Sequence, residues 1–283
     1  LAPTPPANEF VAAHEREREQ SYYPLDLSLC SACGHLQLID VVDPAVLFEN
    51  YVYVSGTSPV FVRHFQDYAR TLRDRFDLGA GTLAIDIGSN DGVMLEALRA
   101  QGLSILGVDP AREIAREANE RGLTTEIGFF TSELAARLEA KYGKASLITA
   151  NNVFAHSDAL ADIADGVSAL MAPEGVFVFE VSYLVDVYEK NLFDTIYHEH
   201  LAYHTVTPLV PFFRAHGLEV FDAERIGTHG GSVRVFVQRA NGPWPHGPGL
   251  GEALEREREL GLFDPATFRD WEARINRQGE HLK

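Results

Sequence analysis

Along residues 82–181, short runs of apolar residues alternate with longer stretches whose apolar positions recur every three or four residues. The runs at 82–87, 104–108, 124–127, 146–150 and 175–181 predict strands, and the stretches at 91–100, 111–121, 131–142 and 158–170 predict helices between them. Strands that are apolar throughout and joined by helices belong to a parallel sheet covered on both faces, which is a doubly wound α/β domain. Two more runs, 218–223 and 232–238, the second after Gly230-Gly231, read as a pair that closes the sheet. A further helix is predicted at 60–76, where Val62, Phe65, Tyr68 and Leu72 fall at helical spacing.

The flanks have a different texture. The first residues are proline-rich, and Cys30-Ser31-Ala32-Cys33-Gly34 then precedes an apolar stretch at 35–39, the pattern of a knuckle entering a strand. After the fifth strand comes an excursion rich in aromatics and histidine, YLVDVYEKNLFDTIYHEHLAYHTV, followed by a helix at 208–216. Insertions after the carboxyl end of a strand are where α/β folds keep their chemistry. Past Ala240, NGPWPHGPG reads as a linker, and the charged helical pattern beyond it as the opening of another domain. Within that pattern EREREL, residues 255–260, is expected on an exposed helix. The expected division is 1–65, 66–240 and 241–283.

Composition narrows the function. The 283 residues, 46% apolar, suffice for one large domain or two modest ones. With 41 acidic against 24 basic residues and a net charge of −17, a broad electrostatic grip on nucleic acid or an anionic membrane is not expected. No stretch approaches the ~20 apolar residues of a membrane helix, and LAPTPPANEF lacks the features of a secretory signal, so the expected compartment is the cytoplasm. One Cys-x-x-Cys is too sparse for a disulfide framework. The absence of an initiator Met and an end at GEHLK read as an internal piece of a longer protein.

Chemistry is written most clearly at the end of the first predicted strand, Leu83-Ala84-Ile85-Asp86-Ile87-Gly88-Ser89-Asn90-Asp91-Gly92. An apolar strand ends in an acid and turns into a helix through glycines, so Gly88 and Gly92 let the main chain pass close to a ligand. Asp109, about 20 residues on at the end of the second strand, is placed to accept both hydroxyls of an adenosine ribose. A nicotinamide dinucleotide would want Gly-x-Gly-x-x-Gly. Here Asp91 puts negative charge where a pyrophosphate would sit, and that suits a zwitterionic amino-acid tail instead. Asn151 and Asn152, at the end of the fourth strand, fall at the cofactor's edge.

Read in order, CSACG after YPLDLSL, YVYVSGTS, IDIGSNDG, NNVFAHSD, IYHEHLAYH and HGGSVRVF resemble the sugar C-methyltransferases that act on dTDP-linked ketosugars. The resemblance covers nearly the whole chain. It implies a class I methyltransferase Rossmann-like sheet, a small zinc lobe ahead of it and a carboxy-terminal domain that helps hold the nucleotide. It implies S-adenosylmethionine as cofactor, held by Asp86, Gly88, Asn90, Gly92, Asp109, Asn151 and Asn152. It implies His200 as the base that deprotonates the carbon next to the ketone, with Tyr197 and Glu199 assisting. His156 would lie across the pocket, and Tyr53, in preference to Tyr51, would close over the substrate. Members of the family complete a four-cysteine zinc site with an earlier pair, whereas only Cys30 and Cys33 stand here, half of a structural shell.

The residues alone leave rival readings. His198, His200 and His204 are also readable as ordinary loop residues or as a metal site, although the spacing is not His-Glu-x-x-His. His229, before the glycine pair, is placed either at the pocket or at a plain hairpin entry. Arg214, Arg225 and Arg234 are diphosphate candidates by charge alone. The competing functions are an O- or N-methyltransferase on a small polar substrate, a non-catalytic adenosyl-binding module, and a dehydrogenase weakened by the missing glycine pattern.

Overall fold

A computed structural model of the chain describes residues 2–8, 10–49, 51 and 53–281. Val52 of YVYVSGTS and the last two residues of GEHLK lie outside the described residues. Two antiparallel strands, β1 (Leu27–Leu29) and β2 (Leu36–Leu38), flank the cysteine knuckle. The knuckle is closed by Gly34 N–H donating to the Cys30 carbonyl and Cys30 N–H to that of His35, both at 2.8 Å. A short helix α1 (Pro44–Phe48) and the long α2 (Pro59–Arg75) follow. α2 buries Phe65, Tyr68, Ala69 and Leu72, the face its spacing predicts.

The central sheet contains β3 (Leu83–Ile87), β4 (Ser104–Asp109), β5 (Thr125–Ile127), β6 (Ala145–Asn151) and β7 (Met171–Ser182), parallel in the order β5-β4-β3-β6-β7. The connecting helices are α3 (Val93–Ala100), α4 (Arg112–Glu120), α5 (Ser132–Tyr142) and α6 (Leu160–Leu170). The chain runs outward from β3 through β4 to β5, then returns to place β6 on the other side. The resulting switch point at the carboxyl ends of β3 and β6 is where such sheets open a crevice.

Within the excursion lie α7 (Leu184–Glu189) and a two-residue strand, β8 (Ala202–Tyr203), which pairs with β2. That pairing joins the amino-terminal lobe to the segment carrying the histidines. The closing helix of the excursion is α8 (Val206–Ala215), and β9 (Leu218–Ile226) and β10 (Ser232–Arg239) then complete the sheet antiparallel beyond β7.

The chain continues as α9 (Pro248–Glu259) and α10 (Pro265–His281). The exposed helix expected at 255–260 is only half right. The Arg258–Glu255 pair faces solvent, but Glu257 is 0% exposed, because four hydrogen-bond donors converge on its carboxylate. Among the described residues no helix is long and apolar enough to cross a membrane.

Candidate active site

The carboxyl ends of β3, β4, β6 and β7 open into a cavity of about 710 Å³. Its wall includes Asp86, Gly88, Asn90, Asp109, Asn151 and Asn152 from the sheet ends, with Tyr51, Tyr53, His156, Tyr197, His200 and His229 from the loops over them.

At the β3 turn, Gly88 adopts φ 68°, and a side chain there would collide with Val153. Its bare backbone faces the cavity, as a close-approach turn requires. Gly92 lies outside the cavity wall; it forms the left-handed start of α3 at φ 81° and packs against Leu123. Asp109 accepts hydrogen bonds from Asn90 N–H (2.7 Å) and Ala111 N–H (2.8 Å), one on each carboxylate oxygen. Burial raises its pKa, and those two donors hold the rise back. Asp86 accepts from Thr149 Oγ1 (2.6 Å) and Asn151 Nδ2 (3.4 Å), and burial pushes it up to about 7. Ser89 Oγ and Asn151 Oδ1 are buried without a partner. A carboxylate with spare lone pairs, a glycine cradle and unpaired polar atoms fit an adenosyl amino acid.

The side chain of Asn90 serves the lobe. It accepts from Ser55 N–H (3.0 Å) and donates to the Tyr53 carbonyl (2.9 Å), while Asp91 accepts from Gly56 N–H (3.1 Å). The turn after β3 thus clasps the segment that carries Tyr53, which lines the cavity and is 44% exposed.

His200 is fixed at both ring nitrogens. Nδ1 donates to the Thr195 carbonyl (3.0 Å), which assigns the proton there, and Nε2 faces the Tyr197 hydroxyl at 3.1 Å. Burial drives its pKa down to about 4, so the ring is neutral with a lone pair on Nε2. The His156 ring lies 5.0 Å from it, with Nε2 buried and unpartnered and its pKa pushed well down by burial. Glu199 does not hold the imidazole. Its carboxylate accepts from Asn8 and from the Tyr51 hydroxyl (3.1 Å), so it joins the lobe to the excursion instead. This contact also occupies the Tyr51 hydroxyl, while Tyr53 is the more exposed of the two tyrosines in the cavity wall.

The histidines do not converge as ligands. His198 Nε2 donates to Tyr23 O (3.2 Å) and His204 Nε2 to Phe154 O (3.1 Å), away from His200. His229 does reach the cavity, in a left-handed conformation at φ 50°, with Nε2 accepting from Asn152 Nδ2 at 3.2 Å. The diphosphate candidates fare worse. Arg234 is buried against Glu180 (2.7 Å) and over the Tyr68 ring, and Arg225 is held by Asp186 (2.8 Å) and Glu189 (2.7 Å). Neither lines the cavity, nor does Arg214. Cys30 and Cys33 are exposed, and among the described residues no group of three His, Cys, Asp or Glu side chains is set to hold a metal. Two thiols alone do not complete a four-ligand zinc shell. No local sequence pattern signals Thr195, which acts through its carbonyl, or Asn8.

Comparison with known proteins agrees with this fold. The methyltransferase domain family matches residues 61–223, more than half of the chain. A family named for zinc binding matches 1–48, and the C-methyltransferase C-terminal domain family matches 227–283. The C-methyltransferase NovU of Streptomyces niveus is 36% identical over 268 residues, which are 95% of this chain and 64% of that protein, so the chain spans less than two thirds of this relative. Among solved structures, the PH0226 protein of Pyrococcus horikoshii OT3 superposes with a TM-score of 0.52 at 12% identity, over 69% of this chain and 98% of that one. The magnesium protoporphyrin IX methyltransferase (ChlM) of Synechocystis PCC 6803, with bound SAH, gives 0.49 at 14%, over 65% and 88%. With its parallel sheet and glycine turn in place, and the family matched over more than half of its length, this chain belongs to the methyltransferase family.

Proposed function

We propose that the protein methylates the carbon next to the ketone of a nucleotide-linked deoxyketosugar, with S-adenosylmethionine as donor and His200 as base. The observation that carries this is the neutral imidazole of His200, with its proton held on Nδ1 by Thr195 and its Nε2 lone pair at the cavity wall. Asp109 would take the ribose hydroxyls, with Gly88 giving close backbone approach. When bound there, S-adenosylmethionine supplies an electrophilic methyl group.

A carbon next to a ketone becomes nucleophilic only after it loses a proton. His200 Nε2 takes that proton, and the electron pair of the C–H bond moves onto the ketone oxygen as an enolate. At rest Nε2 accepts from the Tyr197 hydroxyl; a substrate entering between them frees that hydroxyl to donate to the enolate oxygen. The similarity to the Streptomyces niveus C-methyltransferase supports carbon as the acceptor. The cavity wall carries six aspartates, Asp43, Asp86, Asp109, Asp158, Asp162 and Asp194, and no lysine or arginine among the described residues. That wall attracts a sulfonium and repels a diphosphate, so the sugar enters while its nucleotide stays outside.

His200→Asn tests the base. Turnover of a dTDP-ketosugar by the full protein should fall roughly 10²–10⁴-fold with S-adenosylmethionine affinity preserved. Deuterium exchange at the α-carbon, followed with the demethylated cofactor bound, should fall with it. Because burial holds His200 near 4, the acid limb due to His200 in wild-type kcat/KM, followed at saturating S-adenosylmethionine, should fall only below about pH 5. Wild-type exchange and turnover in His200→Asn would place the base elsewhere, with His156 next.

A further inference from the structure

Both ends of the excursion between β7 and α8 meet at one buried carboxylate that belongs to neither. Glu257, on α9, accepts from the Tyr183 hydroxyl (2.8 Å) and Val206 N–H (2.6 Å) on Oε1, and from Thr207 N–H (2.9 Å) and Thr207 Oγ1 (2.6 Å) on Oε2. Tyr183 is the first residue after β7, and Val206 and Thr207 open α8. One side chain therefore ties the entry and the exit of the segment that carries Tyr197 and His200.

The site is built for a carboxylate. The N-cap residue of α8, Thr205, makes no side-chain cap, so Glu257 satisfies two of that helix's unpaired N–H groups from another element and places negative charge at its positive end. Each oxygen faces a backbone N–H. An amide would turn its NH₂ toward one of them, leaving two donors face to face. The same carboxy-terminal helices grip the excursion further along. Trp271 Nε1 donates to Asn191 Oδ1 (2.7 Å), Arg274 bonds the Tyr188 carbonyl, and Arg256 pairs with Glu189.

We infer that the carboxy-terminal helices are the scaffold of the catalytic excursion and that Glu257 is a positioning residue, which holds the frame on which His200 is presented. The inference rests on the reading of His200 as base, but the loop's order is measurable apart from it.

The test compares Glu257→Gln and the milder Tyr183→Phe, which removes one of the four bonds, with wild type. Hydrogen exchange followed by mass spectrometry should quicken about tenfold or more in peptides from 184–205, with the peptides of β3, β4 and β6 unchanged and S-adenosylmethionine still bound. In the full protein kcat should fall about tenfold to a hundredfold at unchanged KM for the cofactor, the loss expected for a misplaced base. The acid limb of the rate profile should also move up from about 4 toward the free-histidine value as the ring loosens. Tyr183→Phe should show the same changes, smaller. Excursion exchange and an acid limb equal to wild type in both variants would overturn the inference, as would a uniform quickening across the sheet. A loosened excursion in Glu257→Gln beside wild-type turnover in His200→Asn would keep the scaffold and remove the base.

Discussion

Asp86 shows at the scale of one residue how a polar cavity wall and stability pull apart. It is a buried carboxylate with no cation among its hydrogen-bond partners, and its pKa stands at about 7 against an ordinary value of 3.8. Because the folded value is the higher one, the unfolded chain binds fewer protons between those two values. The stability linked to Asp86 is therefore full below pH 3.8 and lost as pH rises through 7. At about 1.4 kcal/mol per unit, the loss reaches on the order of 4 kcal/mol by pH 8. Asp86→Asn keeps the Thr149 acceptor and removes the charge. Urea denaturation should find the variant more stable than wild type at pH 8, with the gain shrinking toward pH 4; a gain independent of pH would show that Asp86 is not the titrating group. At this scale the sequence was partly legible. The Asp86, Gly88 and Asp109 spacing and the three-residue step from Tyr197 to His200 follow from local chain geometry. The partners of Glu199 and the carbonyl that fixes His200 depend on how distant segments meet, and no local pattern encodes that.

Elements were the most legible level, because the periodicity that marks a strand or helix is the same physics that buries its face. The five parallel strands and the closing pair lie where the apolar runs predict them, within a few residues. What escaped was β8, two residues too short to show any period, although its pairing with β2 anchors the excursion to the lobe. Glu257 escaped as well, since a charged residue in EREREL has no local reason to be buried. The entry to β10 depends on a glycine whose reason is tertiary. Gly231, at φ 145°, has no room for a side chain because the Asp186 carboxyl fills the space, and Asp186 is itself fixed by Arg225 and Lys190. Gly122, at φ 74° after α4, has nothing near it. Both Gly→Ala changes carry positive-φ strain of about 1–3 kcal/mol, and Gly231→Ala adds an overpacking cost of roughly 1–3 kcal/mol. Chemical denaturation of the two variants should therefore separate them by that added amount, and equal losses would mean the Asp186 contact yields without cost.

Across the whole molecule the amino-terminal lobe raises the question of what holds it. A zinc-named family matches 1–48, yet Cys30 and Cys33 are two ligands where a structural site takes four, and the knuckle is closed by its own backbone hydrogen bonds. The lobe also has ties that need no metal: β2 pairs with β8, Glu199 takes the Tyr51 hydroxyl, Asn90 and Asp91 hold 53–56, and Phe263 covers Gly34. A metal that supplied most of the lobe's folding energy would melt it on removal, as in small zinc domains. Here the lobe's contacts are distributed along the excursion and the turn after β3, so loss of a two-thiolate metal should leave them standing. After dialysis against a mild chelator this chain should keep less than about 0.1 equivalent of zinc, two thiolates being half a shell. Its thermal midpoint should move by no more than about 2 °C, which for a chain of this size corresponds to under about 1 kcal/mol. A full equivalent retained through dialysis, or a separate low-temperature transition in the treated protein, would mean that other residues complete the shell and that the lobe depends on it.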